Sequence, residues 1–546
     1  MIKTISSWLV YTGQLTPAVR PISFKFLCQT AFLLGVISLV LLAHGWASFN
    51  PYLVTADHAL FYEFAYRNYP SIGAFSSLFL DLSRWVLETP LRPYYLYSSL
   101  MATSFFIMGL SLLALLHATQ RPKWALWVVL GSLLSLGCWT HVTSNFWNDV
   151  PLSAISFALG IGAFTLAYLN PQNKAWWLLH FLLMGFALSW KTYNIFGLIP
   201  ILLFSLPLYS NVHSSPLGGV FKACAFMLMG YLGGMYHLLT DPLATLNGIR
   251  GYPLPISWKR LAVCWIPLPQ FSRGIYDQSI STALTIGCLP FPLLITWLWL
   301  YKRVAPTLLA MLIGVGLLFN IYILKFGFGL NRHGFPLSWG LVFAFTMMLL
   351  ALPSRSLCVD DASKKMRRWV SMGIIGSLLV TFGYFVPTQF IINWGMHLAV
   401  GRLNHHSNTI FNMIQPYRLH YPNLHTFVFC YRWLPEYPSY WIVPFRDQTS
   451  PLFGMMATSF PRRIPLQKHD PRFTFIKETA LFHIPKNEDD PILIVIPSFK
   501  TPIFYPLSSQ YWQFFENKYT SEMVQNRRKT IIYKNNDIRI VLYKKS

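Results

Sequence analysis

Long apolar runs alternate with short polar segments along residues 1–388. Most runs are long enough, or nearly so, to cross about 30 Å of hydrocarbon as an α-helix. The pattern predicts about eleven membrane-spanning helices, placed at Phe26–Trp46, Ser98–His117, Trp124–Val142, Pro151–Leu169, Ala175–Leu188, Tyr193–Tyr209, Lys222–Thr240, Thr282–Leu300, Pro306–Leu324, Phe335–Leu352 and Trp369–Pro387. We therefore expect an α-helical polytopic membrane protein.

The pattern changes beyond Thr388, where no apolar run is long enough to span a membrane. The run Pro491–Pro497 is apolar and bounded by prolines, which is typical of a buried strand. Residues Thr530–Tyr543 contain Asn535-Asn536-Asp537, which supplies turn residues, so a hairpin is predicted there. We expect residues 389–546 to form a small C-terminal α/β domain.

Basic residues set the orientation of the predicted spans. Lys3, Arg20 and Lys25 precede the first run, and positive charge at that position places the N-terminus in the cytoplasm. An odd number of spans then makes the C-terminal domain extracytoplasmic. Two long segments, 47–97 and 241–281, are predicted as external loops. The expected location is the inner (plasma) membrane of the cell.

Composition narrows the class of protein further. Of the 546 residues, 54% are hydrophobic and only 11% are charged, whereas soluble chains carry about a quarter of charged residues. The formal net charge of +24 is compatible with nucleic-acid binding, but the cations cluster beside the apolar runs. Membrane lipids and phosphate-bearing lipid substrates are therefore the expected partners, and nucleic acid is not.

The seven cysteines do not follow the spacing of a zinc site. Cys28, Cys138, Cys224 and Cys288 fall in apolar runs, where a thiol behaves as a small hydrophobic group. Cys264 and Cys430 are both predicted outside the cytoplasm, so a disulfide between them stays an open alternative.

Two aspartates are predicted at the outer face, Asp57 in segment 47–97 and Asp149 before the fourth span. Pro151 follows Asp149 within one turn, so helix capping is an alternative role for Asp149. Asp57 could likewise cap an interfacial helix over Ala59–Tyr69. The pair is more informative than either residue, because a carboxylate without a partner near hydrocarbon is costly. Two carboxylates at one face indicate an active site.

Cations also collect at the predicted outer face, against the usual bias toward the cytoplasm. Side chains that reach lipid headgroups explain most of Lys259, Arg260 and Arg273 in segment 241–281. The outer-face cations available to an anionic substrate are Arg84, Arg92, Lys191, Arg250, Lys259, Arg332 and His333.

Carboxylates and cations facing one cavity suit the transfer of a sugar from a lipid-linked phosphate. The acceptor hydroxyl loses a proton as it attacks the anomeric carbon, and a carboxylate within hydrogen-bond reach can act as the base. Fixed cations stabilise the charge that develops on the leaving phosphate. The two residue types together predict a glycosyltransferase site.

The order of four short motifs resembles the GT-C superfamily of membrane glycosyltransferases, which includes protein O-mannosyltransferases and lipid A aminoarabinose transferases. Thr55-Ala56-Asp57-His58 resembles the acidic motif of the first external loop, and Asn148-Asp149 resembles the second, which opens a later span. Segment Leu188–Pro200 is similar to the lysine segment of the family. Segment Asn331–Pro336 is similar to the arginine-containing entry into a late span.

The resemblance implies a GT-C-like catalytic domain over residues 1–388 and a polyprenyl-phosphate-linked sugar donor, with a lipid, glycan or protein as acceptor. It implies catalytic roles for Asp57 and Asp149. It implies substrate-binding roles for His58, Arg84, Arg92, Lys191, Tyr193, Arg332 and His333. Many relatives carry two adjacent acids where this chain has Asp57 and His58, a poor pair for a hard cation, so a divalent metal stays an open alternative.

Two other classes of protein remain as alternatives. A transporter or flippase for a lipid-linked anion would also need basic residues at the outer face. Such proteins usually carry inverted repeats and charges near the bilayer midplane, whereas the ionisable residues here lie at span boundaries and in loops. A structural or assembly subunit with a degenerate transferase-like fold is the third reading.

Overall fold

The computed structural model describes residues 19–47, 91–134, 149–212, 216–240, 311–319, 335–351, 416–429, 473–476, 490–497, 527–534 and 538–545, with single positions elsewhere. The described residues form a set of packed apolar helices and a five-stranded sheet. The predicted span Thr282–Leu300 and the cysteines Cys264 and Cys430 lie outside the described residues.

The described helices follow the apolar runs of the sequence. They are α1 (Phe24–Ala47), α2 (Leu91–Ala118), α3 (Lys123–Leu134), α4 (Asp149–Leu169), α5 (Lys174–Trp190), α6 (Ile195–Asn211), α7 (Pro216–Gly234), α8 (His237–Thr240) and α9 (Phe335–Ala351). A short 3-10 helix, Thr192–Asn194, joins α5 to α6.

Within the described residues, four helices are long and apolar enough to cross a membrane. The qualifying stretches are Phe24–Gly45, Tyr95–Ala118, Val150–Leu169 and Leu217–Gly234, and shorter apolar helices include α3, α6 and nearly all of α9. The protein is therefore an integral membrane protein. The predicted total of about eleven spans also involves residues outside those described.

Two helix boundaries differ from the prediction. Helix α2 starts at Leu91, inside the segment 47–97 that was predicted as an external loop. Pro93 lies in its first turn, where backbone N–H groups have no helical partner and proline is tolerated. Helix α7 covers Pro216–Gly234 rather than Lys222–Thr240, so it begins six residues earlier than predicted.

Helices α1 and α2 are antiparallel. The Ser38 hydroxyl of α1 donates to the Ala102 carbonyl of α2 (3.1 Å). Near the other end of the pair, the rings of Phe26 and His117 stack with centroids 3.7 Å apart. The contacts advance along α1 as they retreat along α2, as expected for two helices that cross a membrane in opposite directions.

Aromatic rings fill the centre of the helical bundle. The Trp339 ring of α9 lies 5.7 Å from that of Trp139 and 5.8 Å from that of Phe157, and Phe164 packs edge-on against Phe343 at 4.9 Å. Because lipid is as apolar as these rings, close packing rather than exclusion of water holds the helices together.

Glycines allow two pairs of helices to touch through their backbones. A Cβ atom at Gly185 of α5 would lie 1.9 Å from the Met227 carbonyl of α7, and one at Gly230 would lie 2.0 Å from the Leu182 carbonyl. At the start of α6, a Cβ atom at Gly197 would lie 2.2 Å from the Pro336 carbonyl of α9. Small residues at such crossings are typical of membrane helices.

The C-terminal part of the chain forms a mixed sheet. Its strands are β1 (His425–Phe429), β2 (Phe473–Ile476), β3 (Ile492–Pro497), β4 (Arg527–Lys534) and β5 (Ile538–Lys545). The spatial order is β2-β1-β3-β5-β4, with β1 parallel to β2 and β3, and β5 antiparallel to β3 and β4. The predicted strand at 491–497 and the predicted hairpin at 530–543 are therefore confirmed, while the domain boundary at 389 stays a prediction.

Candidate functional site

Helix α4 begins at Asp149, the second of the two predicted aspartates. Within the described parts of residues 19–351, Asp149 is the single acidic residue. Pro151 fits the first turn because the N–H that it lacks would have no partner there. An acidic residue is also favoured at this position by the partial positive charge of a helix N-terminus. Residue 149 therefore lies at one end of the bundle, where α4 starts.

A tight reversal of the chain carries Lys191 and Tyr193. Helix α5 ends at Trp190, and Lys191 adopts an extended conformation as the first residue beyond it. The Asn194 backbone N–H donates to the Lys191 carbonyl (3.1 Å), which closes the turn. We call residues 190–194 the lysine turn.

The side chain of Asn194 ties the lysine turn to the helix that Asp149 opens. Its amide nitrogen donates to the Ser153 hydroxyl of α4 (2.9 Å) and to the Ala187 carbonyl of α5 (2.6 Å), and the side chain is fully buried. Ser153 follows Asp149 by four residues, which is about one helical turn. Lys191 and Asp149 therefore belong to segments that meet within one turn of the start of α4.

A second hydrogen bond strengthens this junction. The indole N–H of Trp190 donates to the Ser156 hydroxyl (2.8 Å), and that hydroxyl donates to the Leu152 carbonyl (2.9 Å). Positions 149, 153 and 156 lie on one face of a helix. The lysine turn is thus attached along the face of α4 that begins with Asp149.

Helix α2 begins at the same end of the bundle. The Thr165 hydroxyl of α4 donates to the Ser111 carbonyl of α2 (3.4 Å), and a Cβ atom at Gly162 would lie 3.5 Å from Ile107. These contacts advance in the same direction along both helices, so α2 and α4 are parallel. Arg92, in the first turn of α2, therefore lies at the end of the bundle where α4 starts.

Helix α9 also starts beside the lysine turn. Besides the close approach of Gly197 to Pro336, a Cβ atom at Gly340 would lie 2.2 Å from the Gly197 carbonyl. Helix α9 begins at Phe335, two residues after His333. The helix that follows the predicted Arg332-His333 motif thus enters the bundle at this end.

Tyr193 is buried, with 3% of its surface exposed. It belongs to an apolar cluster with Phe196, Val315, Phe319 and Leu337. The cluster joins the start of α6 to α9 and to the helical segment 311–319. Its packing fixes the orientation of the lysine turn.

The opposite end of the bundle is built differently. We call it the Arg121 end, and the end just described the Asp149 end. The Arg121 guanidinium donates to the Leu350 carbonyl in the last turn of α9, and the Arg20 N–H donates to the Ala118 carbonyl (3.0 Å). Burial lowers the pKa of the Arg121 guanidinium, which still stays charged. Lys123 and Lys174 add two exposed cations where α3 and α5 begin.

The structure places three elements of the predicted site at the same end of the bundle: the start of α4 with Asp149, the lysine turn with Lys191 and Tyr193, and the first turn of α2 with Arg92. The other predicted site residues lie outside the described residues: Asp57, His58, Arg84, Arg332 and His333, together with the outer-face cations Arg250 and Lys259. Among the described residues, no group of three histidine, cysteine or acidic side chains could hold a metal ion.

No family model and no curated protein matches the sequence. Among solved structures, the chain is similar to ArnT from Cupriavidus metallidurans, crystallised in the apo state. The two chains are 12% identical, the alignment covers 94% of this chain and 97% of that chain, and the TM-score is 0.40.

Sequence reasoning missed four residues whose hydrogen bonds join the lysine turn to α4: Ser153, Ser156, Trp190 and Asn194. The two serines follow Asp149 at helical spacing, and the other two residues flank Lys191. That spacing is a usable signal, because polar residues on the face of a motif residue have a partner when they are buried. The choice of partner depends on the pairing of α4 with α5, which the sequence pattern does not specify.

Proposed function

We propose that the protein is a GT-C-like integral membrane glycosyltransferase. It transfers a sugar from a polyprenyl-phosphate-linked donor to an acceptor at the outer face of the membrane. The observation that carries this proposal is the hydrogen bond from Asn194 to Ser153, because it joins the segments of Lys191 and Asp149. A carboxylate and a cation on adjoining segments are what transfer from a lipid phosphate requires.

The distribution of cations supports the proposed orientation. Arg20, Arg121, Lys123 and Lys174 lie at the Arg121 end, where the described residues include no acidic side chain. Loops rich in lysine and arginine face the cytoplasm. The Asp149 end then faces outward, where a lipid-linked donor and an extracytoplasmic acceptor meet.

Each predicted residue has a role in the proposed reaction. Asp57 accepts the proton of the attacking hydroxyl, and Asp149 orients the acceptor. Arg92 and Lys191 bind the phosphate of the donor, and their charges stabilise the phosphate that leaves when the bond to the anomeric carbon breaks. His58, Arg84, Tyr193, Arg332 and His333 complete the proposed substrate contacts.

The test is a transfer assay with purified full-length protein, a labelled polyprenyl-phosphate sugar and an extract of envelope lipids and glycans as acceptors. The expected result is covalent movement of the label to an acceptor. The variant Asp57→Asn should insert and fold as the wild type does and lose at least about 100-fold in rate, the usual contribution of a general base.

A matched control is Lys123→Gln, which also changes one charge but lies at the Arg121 end, and it should leave the rate unchanged. A wild-type rate in Asp57→Asn would remove this residue from the mechanism. Redistribution of the labelled lipid across vesicles without covalent change would support transport instead.

A further inference from the structure

A histidine is buried inside the helical bundle. His180 of α5 has no exposed surface, and its ring centroid lies 5.5 Å from that of Phe164 and 5.0 Å from that of Phe181. Its Nδ1 lies 2.8 Å from the Gly160 carbonyl of α4. Because a carbonyl only accepts, Nδ1 carries a proton, and Nε2 of the neutral ring is then an acceptor. This Nε2 atom is buried and has no hydrogen-bond partner among the described residues.

Ser205 of α6 also carries a buried polar atom. The residue is fully buried, and its hydroxyl has no partner within the ranges that the structure describes. Ser104 and Thr346 are equally buried, but their hydroxyls donate to the carbonyl one turn earlier in their own helices. The Ser205 hydroxyl does not use this local acceptor, so its hydrogen bond goes to another group in the bundle.

His180 and Ser205 lie at the same level of the hairpin that α5 and α6 form. His180 precedes the end of α5 at Trp190 by ten residues, and Ser205 follows the start of α6 at Ile195 by ten residues. Ten residues of α-helix span about 15 Å. Both residues therefore lie at about this distance from the lysine turn, on neighbouring helices.

The faces of α5 and α6 that carry these two groups pack together. The ring centroid of Tyr209 lies 5.2 Å from that of Phe181 and 5.6 Å from that of Trp177. Ser205 precedes Tyr209 by one turn, and His180 follows Trp177 by three residues, so each lies on the face of its helix that carries these rings. His180 Nε2 and the Ser205 hydroxyl do not bond to each other. The two polar atoms thus belong to one region between the helices without direct contact.

We propose that a buried water molecule binds between α5 and α6 at this level, bonded to His180 Nε2 and to the Ser205 hydroxyl. The water donates to Nε2, and the hydroxyl can either accept from the water or donate to it. The indole N–H of Trp177, which is also buried and has no partner in the described part of the chain, donates the third bond. Three hydrogen bonds are typical of a buried water, whereas apolar sites stay dry.

The water joins three helices, because the Gly160 carbonyl of α4 holds the same imidazole. An acceptor and a hydroxyl left unpaired in apolar surroundings cost free energy, and the water removes this cost. The bridge fixes the hairpin of α5 and α6 against α4 at a level about 15 Å from the lysine turn. Asn194 and Trp190 fix the other end of the same hairpin. This proposal is independent of the transfer reaction.

The direct test is a density map of the full-length protein in lipid nanodiscs, at a resolution that shows ordered water. The expected result is a peak about 2.7–3.2 Å from both His180 Nε2 and Ser205 Oγ. A map that shows ordered water elsewhere but no peak here would overturn the proposal. Density that shows the two side chains bonded directly to each other would overturn it as well.

A double-mutant cycle tests the same site through stability, measured by denaturant titration in micelles. Ser205→Ala should raise the equilibrium constant for unfolding by about tenfold in the wild type, because the water loses a partner. In the His180→Phe background, which keeps a ring but removes Nε2, the same change should raise it by less than about threefold. The matched control is Ser104→Ala, which removes an equally buried hydroxyl that bonds within its own helix. Its effect should be the same in both backgrounds.

Equal effects of Ser205→Ala in the two backgrounds would mean that the hydroxyl and the imidazole share no water, and the proposal would fail. If His180→Phe does not fold, His180→Asn serves as the background instead. The asparagine amide nitrogen takes nearly the position of Nδ1, so it can still donate to the Gly160 carbonyl while Nε2 is removed.

Discussion

The two ends of the helical bundle are held together by different kinds of hydrogen bond. At the Arg121 end, backbone carbonyls accept hydrogen bonds from a guanidinium and from a backbone N–H. At the Asp149 end, two pairs of side chains bond to each other across helices: Asn194 with Ser153, and Trp190 with Ser156.

The two ends differ in how specific the residues at each hydrogen bond must be. Capping by a cation at a helix C-terminus is a general way to satisfy terminal carbonyls. Buried hydrogen bonds between side chains demand a specific pair of residues and cost stability when one partner is lost. The Asp149 end is therefore built to hold particular segments in place, which is the property that an active site requires.

The largest expected effect is a loss of activity on substitution of Asp149, which substitution of Arg121 at the other end should not cause. Asp149→Asn should lower the rate of sugar transfer by about 100-fold, because the acceptor loses the charge that orients it while asparagine still serves as a helix cap. The measurements are turnover of the labelled donor and thermal unfolding in detergent. Arg121→Gln should do the reverse, with a lower melting temperature and an unchanged rate for the folded fraction. A normal rate in Asp149→Asn would make the acidic residue a cap only.

The next effect concerns the contact between α6 and α9 at the Asp149 end. Gly197→Val places a side chain 2.2 Å from the Pro336 carbonyl, which forces the helices apart. The expected cost is about 3 kcal/mol in the free energy of unfolding, measured by denaturant titration in micelles. Gly35→Val in α1 is the matched control, because nothing lies within 4 Å of its Cβ position. Equal stability of the two variants would contradict the close approach.

A smaller effect compares two asparagines at opposite ends of α5. Asn194→Ala removes two buried hydrogen bonds and should cost about 2 kcal/mol, since the Ser153 hydroxyl loses its donor. It should also raise the KM for the donor, because the lysine turn that carries Lys191 loses its side-chain bond to α4. Asn173→Ala removes an exposed cap bond to the Ala175 N–H and should cost about 1 kcal/mol with no change in KM. A parallel rise of KM in both variants would refute a positioning role for Asn194.

The smallest effect tests the second bond of the junction. Trp190→Phe keeps most of the ring and removes the indole N–H, so the expected cost is about 1 kcal/mol. A double-mutant cycle with Ser156→Ala isolates the bond, because the two changes should be less than additive if the residues interact. Additive costs would mean that the 2.8 Å contact contributes nothing to stability.

Hydrophobic pattern predicted much of the described fold. The runs that became α1, α4, α5, α6 and α9 were located to within a few residues, since a membrane span is set by length and apolarity. The start of α2 was misplaced because Pro93 was read as a loop residue. The hairpin was predicted from its turn residues, but the parallel pairing of β1 with β2 and β3 involves strands far apart in sequence.

The candidate site was predictable only in part. Asp149, Lys191 and Arg92 stood out because charge near hydrocarbon is rare. Their assembly depends on which helices run parallel, and this is decided by contacts such as Thr165 with Ser111. A serine, tryptophan or asparagine in an apolar run does not indicate a functional site in the same way, because these residues are also common in membrane helices at positions without a functional role.

The lysine turn requires an amide rather than a carboxylate at position 194. Both N–H protons of the Asn194 side chain are engaged, one by a hydroxyl and one by a carbonyl. Aspartate has nearly the same shape but offers only acceptors, so it would face the Ala187 carbonyl with a negative charge. Among amino acids of this size, asparagine alone can bridge α4 and α5 at this point.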